Sequence, residues 1–300
     1  MKVDCAIVGG GPAGLNAALL LGRARRSVIV FDDSKPRNAV TKHTHGFITR
    51  DGVTPEQFRK LAWQDIKSYP SVVLKRDKVE EITAEEGGFR LATSGGFSVQ
   101  ARKLLLAGGL KETLPRVPNL GAFYGTSLFS CPYCDGWEMH DRPLIIIADG
   151  AGAFPLTRLA YQWSQDLMLC TNGAEPLTMS ELKLLWKKGI VVTKKKITDM
   201  LGEEGQLRAV RFAGGEEVVR RGGFVSPSWR QASPFGNELG CVLNEQGGIA
   251  TDRLGRSSVV GVYAAGDASM IAPAQAVIAA GEGSRAAIGI NADLIQEDFR

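Results

Sequence analysis

The sequence predicts an α/β protein with two nucleotide-binding, Rossmann-like units. Three stretches carry that prediction. Residues 3–8, the loop Gly9-Gly10-Gly11-Pro12-Ala13-Gly14, an alanine- and leucine-rich segment and residues 27–31 read as strand, glycine loop, helix and strand in order. Residues 144–170 repeat that order with a poorer loop. Near the end, residues 259–263 run into Ala264-Ala265-Gly266-Asp267, ahead of a long helix-forming stretch.

Each element has a local reason. Residues 3–8 are a short apolar run bounded by glycine, which suits a buried parallel strand. Gly9 permits a tight turn, Gly11 lets a pyrophosphate approach, and Gly14 lets the helix pack on the strand. Pro12 and Ala13 lie in the same loop, ahead of a helix over 15–22 whose N-terminus faces the phosphates. Strand 27–31 ends at Asp32-Asp33, where a carboxylate can accept both hydroxyls of a ribose. Asp32 is preferred because it directly follows the strand. A glycine turn without a ligand is the competing reading, and the ordered strand, loop, helix, strand and acid argue against it.

Residues 43–52, HTHGFITRDG, form a polar loop whose histidines are either solvated or within reach of a bound ring. Residues 72–82 and 89–99 read as strands of a small antiparallel element. Residues 103–109 are a buried strand that ends in Ala107, Gly108 and Gly109, small enough to let a cofactor approach the backbone. Pro115, Pro118 and Gly121 mark a linker. The second unit begins at Pro143, with strand 144–147, the loop ADGAGA, a helix over 155–164 and strand 167–170. Its fingerprint is damaged. Ala148 stands at the first glycine and Asp149 brings negative charge to the phosphate position. Thr171, Asn172 and Gly173 follow the strand, with no lysine or arginine before Lys183, so a 2′-phosphate finds no cation at this strand end. Strand 259–263 with Gly266 and Asp267, and a helix over 274–288 after Pro273, suit a cofactor's ribityl and pyrophosphate groups.

Between the units lies Cys131-Pro132-Tyr133-Cys134-Asp135-Gly136-Trp137-Glu138. Cysteines at this spacing can close a small disulfide ring and so carry two electrons and two protons. A zinc half-site is a second reading. Its further ligands are scarce, because Cys5, Cys170 and Cys241 form no second CxxC and the histidines are only His43, His45 and His140. Two inert buried thiols are the third. Cys5, Cys170 and Cys241 sit on or beside apolar runs and read as core thiols. Trp137 and Trp229 read either as packing or as stacking on an exposed ring.

Three hundred residues accommodate two domains, or one split domain with an insert. A hydrophobic share of 44% and a charged share of 23% are those of a globular chain. A net charge of +4 permits an acidic protein partner and is too weak to argue for nucleic acid. The basic run of Lys183, Lys187, Lys188, Lys194, Lys195 and Lys196 reads as a solvated face. No apolar run approaches the ~18 residues of a membrane span, and no secretory signal opens the chain. Five sparse cysteines fit a reducing cytosol. The expectation is a cytoplasmic protein, without nucleic-acid or membrane partners, whose CxxC is catalytic.

Taken together, GGGPAG, CPYCD, VYAAGD and then AQAVIAAGEG resemble the low-molecular-weight thioredoxin reductases and their relatives, in order and spacing over nearly the whole chain. The resemblance implies two nucleotide-binding domains of three-layer ββα type, the second inserted into the first. A discontinuous FAD-binding domain at 1–113 and 245–300 would enclose an insert at 114–244, with hinges near 113 and 245. It implies FAD as cofactor, a homodimer, and a thioredoxin-like protein disulfide as substrate. Carried over by position, Gly9, Gly11, Pro12, Ala13, Gly14 and Asp32 hold the adenosine half of FAD. Ala107 and Gly108 line the cofactor, Gly266 and Asp267 meet its ribityl chain, and Gln275 and Ala276 present N–H groups to the flavin. Cys134 faces the flavin, Cys131 exchanges with the partner, and Asp135 is the general acid.

The departures from that family matter as much. Its paired arginines for the 2′-phosphate align with Thr171 and Asn172, and its glycine after a Phe-Val strand is missing from Phe224-Val225-Ser226-Pro227-Ser228-Trp229. Each lost charge-assisted phosphate bond costs roughly 1.5–3 kcal/mol. The pattern resembles a branch that lacks the pyridine-nucleotide site, some members of which take electrons from ferredoxin. Others run as dithiol oxidases that pass electrons to oxygen. The resemblance thus implies reduction of a protein disulfide with a donor other than NADPH, ferredoxin first. The alternatives are a dithiol oxidase, an NADH- or NADPH-dependent reductase with an atypical nucleotide site, and a non-enzymatic flavin redox sensor.

Overall fold

The first apolar run becomes the strand Lys2–Val8, central in a seven-stranded sheet. It pairs in parallel with Val28–Phe31 on one side and Ser98–Leu106 on the other, and Val72–Lys75 pairs in parallel beyond Val28–Phe31. Ser98–Leu106 serves two partners. Its first half pairs antiparallel with Gly88–Thr93, and its last residues pair in parallel with Val262–Ala264. Gly88–Thr93 pairs in turn with Val79–Glu85. An antiparallel meander therefore branches from a parallel sheet at one shared strand. Helices Pro12–Arg23 and Ala276–Asp298 bury Ile7, Leu21, Leu105, Tyr263, Ile290 and Leu294 on one face of the sheet. The meander buries Phe31, Phe89, Leu91 and Leu104 on the other. The result is three layers: meander, sheet and helices.

This computed structural model describes residues 1–270 and 275–300. Two compact units emerge. The first comprises Met1–Ala39, Gly46–Lys111 and Trp229–Arg300, and the second Val40–His45 and Glu112–Ser228. The return to the first unit thus falls at 228/229, against an expected 244/245, because Phe235, Cys241 and Ile249 pack into the first unit's core on the meander side. Loop 43–52 divides, with His43 to His45 in the second unit and the rest in the first.

Elsewhere the elements differ from expectation at their ends. The stretch 72–82 breaks into two strands because the Asp77 carboxylate gathers a turn. It accepts from the Thr93 hydroxyl at 2.6 Å and the Ser94 hydroxyl at 2.9 Å. Strand 259–263 begins only at Val262, after Gly261 at φ +84° and a bond from the Val262 N–H to the Val259 carbonyl. The last helix runs on to Asp298, and its expected start at Ala274, after Pro273, lies outside the described residues.

The second unit repeats the plan. Its sheet is parallel throughout, in the order Val191–Thr193, Leu167–Cys170, Leu144–Ile147, Gly222–Val225 and Leu128–Phe129. Helices Ala153–Ala160 and Met179–Lys187 cover one face over Ile146, Leu169 and Phe224. An antiparallel sheet of Ile197–Glu203, Gln206–Phe212 and Glu217–Val219 covers the other over Ile145, Ile147 and Cys170. Both units therefore have the predicted three-layer, Rossmann-like ββα architecture. Among the described residues no helix is long and apolar enough to cross a membrane.

Candidate active site and cofactor cradle

In the first unit the glycine loop is filled at Gly9, Gly10 and Gly14, with Gly10 against the Asp32 side chain, and open at Gly11. A Cβ on Gly9, at φ +113°, would lie 2.2 Å from the Ala107 carbonyl oxygen, and one on Gly14 would lie 1.9 Å from the Gly9 carbonyl oxygen. A Cβ on Gly11 would meet nothing within 4 Å. Gly9 and Gly14 are thus fixed by packing, while Gly11 leaves a space at the start of the helix. That helix has Pro12 in its first turn, no acidic residue there, and no side-chain cap. Gly266, at φ +67°, fits beside Ala13, and its N–H donates to Glu282 Oε2 at 2.7 Å. Gln275 caps the last helix, ahead of Ala276, also without a side-chain bond. Gly108 lies near the Ser233 hydroxyl, 3.6 Å from the place of a Cβ. Two helix starts without side-chain caps and a space at Gly11 suit the negative phosphates of a dinucleotide. FAD fits this cradle.

Two carboxylates flank it, each held by an arginine with no sequence signal of its own. Asp32 is buried. Its Oδ1 accepts the Ser34 N–H at 3.2 Å and its Oδ2 is ion-paired with Arg59 of helix Pro55–Ile66. A cavity of about 790 Å³ runs from Asp32 past Arg59 to Arg76. Asp267 Oδ2 lies 3.0 Å from Arg37 Nη2, and the Arg37 guanidinium covers the half-buried Trp229 ring at 5.2 Å.

In the second unit, Cys131 caps the short helix Pro132–Asp135. Cys131 and Cys134 are disulfide-bonded, with Cα atoms 5.3 Å apart. The Cys134 N–H donates to Cys131 Sγ at 3.2 Å, a bond that would favour a thiolate on Cys131. Gly136 is required next, because a Cβ there would lie 2.4 Å from the Pro132 carbonyl oxygen and 2.7 Å from the Trp163 ring. Trp163 meets Tyr133 edge-on, ring centroids 5.5 Å apart. Trp137 is stacked on His140 at 4.8 Å and is 70% exposed, and Tyr133 is 65% exposed. Trp137 is thus no core residue, and Tyr133, within the redox helix, is exposed as well. The remaining thiols are buried and free. Burial pushes the Cys170 thiol up to about 11, so it stays un-ionised.

Asp135 is buried, and no side chain among the described residues hydrogen-bonds its carboxyl. Burial, and then the Glu138 carboxylate, push its pKa up from 3.8 to about 7, against an opposing pull from His45. Such a group both gives and takes a proton near neutrality. The sign for stability follows. A carboxyl whose folded pKa is raised loses folded-state stability as pH climbs from about 4 to about 7, by about 1.4 kcal/mol for each pH unit crossed at most. Asp135→Asn should therefore unfold at higher urea than the parent at pH 8, by on the order of 2 kcal/mol, with the gain vanishing near pH 4. The same variant should lose about 10²- to 10⁴-fold in thiol–disulfide turnover.

The second glycine loop is likewise open, at Gly150, and leads into a helix start without a side-chain cap; the difference lies at the end of the next strand. The Thr171 hydroxyl donates to the Ala174 carbonyl at 2.7 Å, and Asn172 Oδ1 accepts the Ile197 N–H at 2.9 Å. Both side chains aligned with a phosphate clamp thus serve nearby backbone. Ala148 is fully buried, and Gly152 abuts the Ser226 hydroxyl. Lys194 and Lys195 are ion-paired with Glu175 and Glu216. Lys196 lies with its stem against Gly173, a cation brought to the loop from beyond the strand end.

Residues 3–283 match the family described as pyridine nucleotide-disulphide oxidoreductase. The chain belongs to this family. A solved structure of TrxB from Bacillus anthracis superposes with a TM-score of 0.95 at 43% identity, over 99% of each chain. A probable thioredoxin reductase of Arthroderma benhamiae is 30% identical over 99% of this chain and 81% of its own length. The thioredoxin reductase of Bacillus subtilis is 27% identical over 95% of this chain and 92% of its own. This pyridine nucleotide-disulphide oxidoreductase is a thioredoxin reductase-like flavoprotein, and FAD is its cofactor.

Proposed function

We propose that the protein reduces a thioredoxin-like protein disulfide through Cys131 and Cys134, with electrons from a donor other than NADPH, of ferredoxin type. The side chains at the second unit's phosphate-clamp position support this reading. Both glycine loops have an open glycine, Gly11 and Gly150, ahead of a helix start without a side-chain cap, but Thr171 and Asn172 are taken up by their own surroundings. Gly9, Gly11, Pro12, Ala13 and Gly14 would hold the FAD pyrophosphate, and Asp32, steadied by Arg59, its ribose. Ala107, Gly108, Gly266 and Asp267 would line the ribityl side, and Gln275 and Ala276 would offer N–H groups to the flavin. When bound, FAD supplies a two-electron store that single-electron donors can fill.

The protein's own residues do the rest. With the pair reduced, the Cys131 thiolate attacks one sulfur of the partner's disulfide, whose S–S bond breaks as a mixed disulfide forms. Asp135 gives its proton to the departing thiolate. Cys134 then attacks Cys131, restoring the Cys131–Cys134 bond and releasing the second partner thiol, with its own proton passed on. The family resemblance also supports a homodimer, and the sparse cysteines fit a reducing cytoplasm.

Anaerobic titration of the holoenzyme with NADPH and, separately, with reduced ferredoxin tests the donor. Ferredoxin should bleach the flavin and NADPH should leave it oxidised. Rapid, complete bleaching by NADPH overturns the assignment. The exposure of Tyr133, inside the CxxC, and of Trp137, three residues past it, favours a second reading, a small apolar dithiol as substrate with oxygen as acceptor. Peroxide released from such a dithiol in air, without another acceptor, would establish it.

A further inference from the structure

The chemistry above leaves His45 and Glu138 without a role. His45 belongs to Val40–His45, the short segment that folds into the second unit. Gly125, at φ +84°, seats that segment, since a Cβ there would lie 2.1 Å from the Val40 carbonyl oxygen. At the segment's far end His45 Nε2 lies 3.5 Å from Glu138 Oε1. Glu138 is in the turn Trp137–Met139, directly after the redox helix and three residues past Asp135, so the two carboxyl groups share a face. Exposure rises from Asp135 at 9% to the side chains of His45 at 22% and Glu138 at 41%. The three groups grade from the buried acid to solvent.

We propose that His45 and Glu138 are positioning residues that set the proton affinity of Asp135 and carry its replacement proton in from solvent. This rests on the reading of Asp135 as general acid. Each turnover hands the partner two protons, one from the Cys134 thiol and one from Asp135. Asp135 is then a carboxylate and must regain one proton before the next cycle. The His45 imidazolium yields that proton and is itself reprotonated from solvent, while Glu138 holds the ring. The same two residues bias Asp135 in opposite senses. The Glu138 carboxylate makes it keep its proton, and the imidazolium makes it release it. These are the charged groups that face Asp135. His43 stands behind His45, ring centroids 6.0 Å apart, and His140 lies against Trp137.

The test follows the pH profile of exchange between the pre-reduced holoenzyme and a small aliphatic disulfide, whose basic leaving thiol needs the acid's proton, by stopped flow, which requires neither the natural donor nor the natural partner. The basic limb reports loss of the Asp135 proton. It should move up in His45→Gln and down in Glu138→Gln, each by about half a pH unit or more, since nearby charges move a pKa by such amounts. His45→Lys, a permanent cation in the same place, should move it down, and the double variant His45→Gln/Glu138→Gln should return toward the parent. A merely structural role predicts no opposed shifts. Limbs that stay fixed or move together, in variants with parental flavin content and circular dichroism, overturn the proposal. A shift in His43→Gln as large as that in His45→Gln also overturns it. If the parent shows no exchange, or exchange survives Cys131→Ser, the reading beneath the proposal fails, and the proposal with it.

Discussion

Cys134→Ser is expected to trap its partner. In the disulfide the Cys131 sulfur receives the Cys134 backbone N–H at 3.2 Å, and a serine at 134 keeps that backbone donor for the Cys131 thiolate while losing the resolving sulfur. Attack therefore proceeds and release does not. The mixed disulfide should accumulate to near one per chain, visible as a reducible shift on a non-reducing gel. Cys131→Ser should form no adduct. Both should lose on the order of 10³-fold or more in turnover, because removing a covalent nucleophile or its resolving partner removes the pathway and not one contact within it. An adduct that forms with Cys131→Ser and not with Cys134→Ser would reverse the two roles.

Gly283 and Gly281, two residues apart on the last helix, should respond to alanine in opposite directions. A Cβ at 283 would lie 2.0 Å from the Ala13 carbonyl oxygen and 2.9 Å from Ala13 Cα. Both atoms are backbone in the first turn of helix Pro12–Arg23, so no side chain can swing aside. The two helices must part, and the start of Pro12–Arg23 moves with them. Gly283→Ala should cost about 1–3 kcal/mol, as overpacking does. It should also lower the flavin-to-protein absorbance ratio. Gly281 is exposed, and a Cβ there meets nothing within 4 Å. Gly281→Ala should gain up to about 1 kcal/mol from helix propensity and keep its flavin. Urea unfolding of the two variants measures the difference. Equal effects would mean that the Ala13 contact does not control the cradle.

What could be read from the chain without coordinates was what has a local cause. Gly9 and Gly14 are demanded by atoms a few residues away or by one neighbouring strand, and Cys131 and Cys134 face each other across one helical turn. Asp32 was found because it ends a strand. Its partner Arg59 was not, since an arginine in a polar helix carries no periodic or spacing signal, and the same holds for Arg37 beside Asp267. Lys196 reads in sequence only as part of a solvated basic face, because it approaches Gly173 from a different segment. The break within 72–82 did have a signal, the charged triplet Arg76-Asp77-Lys78, and the apolar residues on either side hid it. His45 is the instructive case. Nothing near HTHGF points to Glu138, because the pairing depends on where a six-residue segment settles in three dimensions.

That segment also limits how the redox unit can be moved. Residues 112–228 look like a cassette with two ends, ready for transplant into another scaffold. Such a cassette would leave behind Val40 and His45, and with them the residue against which Gly125 is fitted and the imidazole beside Glu138. A graft, a chimera or a recombination event that respects the fold has to transfer two pieces of chain joined by four junctions. Homologous exchange at the obvious boundaries should therefore yield hybrids whose disulfide is present and whose proton supply belongs to the other parent.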